Sequence, residues 1–150
     1  MADIIKLAKH APWGKVPIIG RLPKGAYYVG DPAFVLRDHW NDFIAAFYAV
    51  SDDAAVFEFK GRRCFVSGTN KGGAGTYSDR DGREYIVGSG LIGVIPFGVI
   101  PNGTIASFAR QDQDVILSTS GVFPLKFSVG ADPGRGKFKR IRIGNDVIDT

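Results

Sequence analysis

The sequence predicts a mainly β protein: a single-domain β-sandwich or barrel-like β-roll over residues 1–150, with one short helix at about 38–50. Three observations lead there. Short runs rich in Val, Ile, Phe and Tyr recur at nearly regular spacing, with Gly, Pro, Asn or Asp between them. Glycine at 20 residues and phenylalanine at 11 suit tight turns joining aromatic and β-branched strands. Only one segment carries a helical period.

Taken in order, residues 1–25 form an extended arm, because Pro12, Pro17 and Pro23 enforce extended backbone, and such an arm either wraps the surface or lies on a sheet edge. Tyr27, Tyr28 and Val29 make the first strand, ended by Gly30-Asp31-Pro32. In 38–50, Trp40, Phe43, Ile44 and Phe47 share one helical face, with Asp38 as the expected N-cap. The pattern then changes to period two: Phe57 and Phe59 fall on one face of a strand, and Val56, Glu58 and Lys60 on the other. Gly61-Arg62-Arg63 is expected to turn the chain into a partner strand through Cys64, Phe65 and Val66.

Residues 72–96 are the organising stretch, a hairpin whose Asp81-Gly82 turn joins Thr76-Tyr77 to Glu84-Tyr85-Ile86-Val87. Further strands are expected near 90–100, 104–108, 115–119, 125–129 and 137–143. The longest apolar stretch, 91–101, is interrupted by Gly93, Pro96, Gly98 and Pro101 and cannot cross a bilayer as a helix. With no signal-peptide pattern and Cys64 the only cysteine, the chain has no intramolecular disulfide, and a cytoplasmic location without membrane contact is expected.

The net charge of +4 is unevenly spread. Residues 1–134 are nearly neutral, whereas Arg135, Lys137, Lys139, Arg140 and Arg142 crowd into eight residues that hold no acid. On a strand, Lys137 and Lys139 share a face with Ile141 and Ile143, so some cations must reach an edge or a cleft. Lys71, Gly72 and Gly73 lie in a glycine-rich loop whose amides suit an anion. The P-loop order fails there, because the lysine precedes the glycines. Asp79-Arg80-Asp81-Gly82 begins like a calcium loop, but the twelfth position is Gly90 rather than an acid. Asp31 reads as an Asx-type turn before Pro32. Asp31, Glu58 and Lys60 are the thinnest possible set for a metal-dependent nuclease. No catalytic set, metal site or cofactor site is assembled in the sequence.

Three blocks carry a resemblance. Tyr27-Tyr28-Val29-Gly30-Asp31-Pro32-Ala33-Phe34-Val35-Leu36 is followed by Trp40. Gly75-Thr76-Tyr77-Ser78-Asp79 is followed by Gly82, Tyr85, Val87, Gly90, Ile92, Gly93 and Pro96. The third block holds Gly136, Phe138, Ile141, Ile143, Asp149 and Thr150. Together they resemble small uncharacterised proteins of tailed phages and prophages, with Gly88-Ser89 here where those carry an acid. The resemblance implies a compact β fold and a phage context in the host cell, and no activity.

The expected function is a non-catalytic accessory binding protein. It would capture an anionic ligand such as a nucleotide, or an acidic host protein, through Lys71, Gly72, Gly73, Arg135, Lys137, Lys139, Arg140 and Arg142. Nucleic acid is a less favoured partner. The alternatives are a virion structural or assembly β-sandwich, homo-oligomeric through its arm, and a metal-dependent phosphodiesterase.

Overall fold

The computed structural model describes residues 18–69, 75–79, 81–101, 104, 116–119, 121–132 and 136–150. Its described residues form the mainly β, sandwich-like fold that the sequence predicts, with one short α-helix described along its length. One antiparallel sheet runs in the order β1 (Ile18–Leu22), β9 (Phe123–Asp132), β10 (Gly136–Ile143), β11 (Asp146–Asp149). A second runs β3 (Ala54–Phe59), β4 (Arg62–Gly68), β7 (Leu91–Pro96), β2 (Gly25–Gly30), β8 (Ile116–Thr119). A hairpin of β5 (Gly75–Ser78) and β6 (Glu84–Val87) stands apart from both, and helix α1 spans Trp40–Tyr48.

Two cores explain why the central strands lack a clean alternation. Between the sheets lie Leu22, Tyr27, Val29, Phe65, Ile92, Val94, Leu125, Ile141 and Ile143, with Tyr77, Tyr85 and Val87 delivered by the hairpin. On the far face of the five-stranded sheet, Tyr28, Phe57, Phe59, Cys64, Val66, Leu91 and Ile95 meet Phe43 and Phe47 of α1. The middle sheet is thus covered on both faces, so all six residues of β7 are buried and its sequence reads as one apolar run. Phe43 sits 5.3 Å from Phe57 and 5.2 Å from Phe59, ring centre to ring centre, which pins α1 over β3. Burial pushes the Cys64 thiol up to about 12, as fits a small core residue rather than a nucleophile.

Several local expectations change. The 72–96 hairpin is not the hub. Its strands pair with each other, and among the described residues its one β-bridge to the sheets joins Asp79 to Ile148, while β7 and β2 occupy the centre. Asp38 does not cap the helix. It belongs to a 3-10 turn, Arg37–His39, and His39 holds the N-cap position without a side-chain bond. The β3–β4 turn is Lys60-Gly61, both at positive φ (51° and 76°), as a two-residue type I′ loop requires. Arg62 and Arg63 therefore begin β4 rather than form the turn. Residues 18–22 of the arm do form an edge strand, where Gly20 lies against Val56 with no space for a Cβ. Residues 1–17 and 105–108 lie outside the described residues, and Thr104, the one described residue of the strand expected at 104–108, is helical instead. Among the described residues, no helix is long and apolar enough to cross a membrane.

Asp31 ties the end of β2 to the turn between β6 and β7. Its side chain caps a 3-10 turn (Pro32–Phe34) by accepting from Ala33 N–H at 2.9 Å, the Asx-type turn read from the sequence. It also accepts from the N–H groups of Gly88 (2.7 Å) and Ser89 (2.8 Å) and from the Ser89 hydroxyl (2.7 Å). An acid in place of Gly88 or Ser89 would face this carboxylate. Asp31→Ala is expected to cost about 3 kcal/mol or more, and Ser89→Ala, which removes one donor, about 1.5 kcal/mol. Urea unfolding of the two variants tests the role, and equal losses would refute it.

Candidate functional site

The side chains with chemistry to spare gather at one end of the sandwich. There the β1–β2 turn meets the β3–β4 hairpin and the end of β7. A cleft of about 630 Å³ opens between them, lined by Arg21, Lys24, Arg62 and Arg63 with Glu58 as the one acid among the described residues. Its apolar wall comes from Leu22, Tyr27, Pro96, Phe97 and Val122. The volume falls within the roughly 300–1,000 Å³ usual for small-molecule sites.

Local structure places each cation. β4 starts with two exposed residues, Arg62 and Arg63, before four buried ones, so the guanidinium groups stay at the rim while the strand enters the core. Arg63 donates to the Arg21 carbonyl at 3.4 Å, joining segments 42 residues apart in sequence. The Arg62 guanidinium lies over Gly98, whose missing Cβ makes room for it. Tyr27 donates to the Pro23 carbonyl at 2.6 Å and fixes the β1–β2 turn beneath Lys24. Burial raises the Tyr27 hydroxyl above its ordinary value, the nearby Cys64 adds to the rise, and the Arg62 charge opposes it.

Among the described residues, Arg21, Lys24 and Arg62 have no ion-pair partner. Glu58 stands opposite Arg63 in the β3–β4 register, yet the two form no ion pair.

The cations singled out in the sequence are placed differently. Lys139, on the inner face of β10 with Ile141, reaches across to Asp53 at 3.0 Å and lies beside Gly68 at the end of β4. Arg140 binds Asp149 with two bonds, at 2.6 and 3.0 Å, across the β10–β11 register. Arg142 donates to the Gly144 carbonyl at 2.9 Å. Lys71, Gly72, Gly73 and Arg135 lie outside the described residues, and Lys137 is described only as backbone of β10. Asp31, Glu58 and Lys60 do not assemble: Asp31 is held by Ala33, Gly88 and Ser89, while Lys60 sits over the Phe59 ring in the turn.

The sequence reading missed the cleft because its cations come from two distant segments. The available signal was three cations among Lys60, Gly61, Arg62 and Arg63.

A second cluster sits where the hairpin meets β11. Asp79, Asp81 and Asp146 each bring a carboxylate oxygen within 4.8 Å of the others, a spacing that a divalent cation could bridge. Asp79 Oδ1 already accepts from the N–H groups of Asp81 and Arg83, at 3.0 and 2.8 Å, which is turn chemistry. The Tyr85 hydroxyl donates to Asp146 at 3.1 Å, with Asp79 at 3.4 Å. Burial, and then the hydrogen bond and charge of Asp79, lift the Asp146 carboxyl from 3.8 to about 6.

The folded chain therefore holds this proton more tightly than the unfolded chain does. Its contribution to stability is present below about pH 4 and is lost as pH rises toward 6. Asp146→Asn should remove that slope and stabilise the protein at pH 8 relative to wild type. Urea midpoints measured from pH 4 to 8 check this, and parallel profiles would refute it.

No protein-family model, curated protein or solved structure matches the chain, so its function is read from the chemistry of the site.

Proposed function

We propose that this is a non-catalytic binding protein that captures an anionic, phosphate-bearing ligand in the cleft of Arg21, Lys24, Arg62 and Arg63. One observation carries the reading: among the described residues, these cations converge on a concave surface with Glu58 as the only acid, and Arg21, Lys24 and Arg62 lack ion-pair partners. Guanidinium groups match pairs of phosphate oxygens, and three of the four cations are arginines. In the phage context that the resemblance implies, this would be an accessory protein acting in the host cell.

Isothermal titration with inorganic tripolyphosphate and a panel of nucleotides tests the reading. Binding should weaken as salt rises. The Arg62→Ala/Arg63→Ala double variant should lose affinity by about tenfold or more. Arg37→Ala removes an exposed cation outside the cleft and should bind as wild type does. Flat traces for every wild-type titration would remove the proposal.

A further inference from the structure

We propose that the cleft takes a nucleotide rather than a bare polyanion, with phosphates on the arginines, the ribose at Glu58 and the base against Phe97. This deepens the proposed function and rests on it.

The arrangement of unlike groups points to a ligand with unlike parts. Four cations alone would suit any polyphosphate, but Glu58 would repel one. An acid placed among cations lowers the affinity for a ligand that is negative throughout. It favours a ligand that presents hydrogen-bond donors beside its phosphates, which is selection by a repulsive element. Sugar hydroxyls are such donors, and a carboxylate accepts from them well.

Glu58 is free for that task. It faces Arg63 across the strand pair without pairing to it, and it is exposed on β3 while its neighbours Phe57 and Phe59 are buried. The third part is the apolar wall. Phe97 begins the 3-10 turn after β7, lines the cleft and is only partly buried, its covered part packing against the core beneath α1. A base stacked on an aromatic ring gains affinity that a phosphate chain cannot. The volume of about 630 Å³ admits such a three-part ligand.

An acidic peptide fits less well. Its carboxylates would also meet Glu58, and it would not need the Phe97 ring.

The experiment is isothermal titration of the full chain with tripolyphosphate and with the four ribonucleoside triphosphates. Wild type should bind at least one nucleotide about tenfold or more tightly than tripolyphosphate. Glu58→Gln should tighten tripolyphosphate binding and narrow the preference for the nucleotide by about tenfold. Phe97→Ala should weaken the nucleotide and leave tripolyphosphate unchanged. Arg37→Ala, outside the cleft, should change neither. Thermal unfolding of each variant confirms that it is folded, and Glu58 is an exposed side chain whose replacement by Gln keeps its shape.

Equal wild-type affinity for tripolyphosphate and every nucleotide would overturn the inference and leave the anion-binding reading intact. So would a Glu58→Gln change that strengthens both ligand types alike. Tripolyphosphate and nucleotides both failing to bind wild type would bring down that reading as well.

Discussion

The Asp31 carboxylate is 1% exposed and carries its charge into the interior, where an unsatisfied ion is costly by several kcal/mol. It is tolerated because three backbone N–H groups and one hydroxyl surround it. Those donors come from two places, the exit of β2 and the turn between β6 and β7, so satisfying the charge fixes one against the other. Neighbouring residues serve the same junction. Tyr28 donates to the Asp31 carbonyl at 2.9 Å, and Gly93 leaves just enough room for Pro32. Gly30-Asp31-Pro32 is therefore part of a structural knot, bound beside the Gly88-Ser89-Gly90 turn.

This knot holds β2 against β7 in the middle of a sheet covered on both faces, and that burial determines where charge can go. Strands β2, β4 and β7 have no solvent face along most of their length, so polar chemistry is pushed to their ends. β4 shows the rule within one strand: Arg62 and Arg63 are exposed, and Cys64 to Ser67 are buried. At the other end of β4, Gly68 runs beside Lys139, and the Lys139–Asp53 pair closes the space between the sheets. The two ends of the middle sheet differ in that one has its cation neutralised by an acid and the other does not.

The fold was legible in the sequence where a pattern is local. Phe57 and Phe59 alternate with Glu58, and Trp40, Phe43 and Phe47 repeat with a helical period, so β3 and α1 were readable from neighbours alone. β11 was missed because Asp146 to Asp149 is short and takes its strand character from pairing with β10. The role given to the 72–96 hairpin was too large. Its glycines and tyrosines are conspicuous, but conspicuous turn chemistry does not reveal which strands lie centrally. Charge misled for a similar reason. The run from Arg135 to Arg142 is dense in sequence, yet Lys139 and Arg140 meet Asp53 and Asp149, acids that lie 86 and 9 residues away. Arg21 and Arg63 are far apart in sequence and adjacent in space. Pairing and clustering of charges are tertiary properties, and a count along the chain cannot separate them.

That separation matters energetically. Like charges gathered in one concavity repel each other, and the repulsion is greater where the surrounding protein limits solvent. The chain relieves this on β10 with ion pairs, and among the described residues no ion pair relieves it in the cleft, even though Glu58 stands opposite Arg63. Arg62 adds a second cost-saving feature. A free arginine loses rotamer entropy when a ligand immobilises it, but one already resting on Gly98 has lost much of that freedom on folding. Charge left unneutralised and a side chain held in place before any ligand arrives both reduce what binding must overcome. An edge of incidental surface cations would need neither.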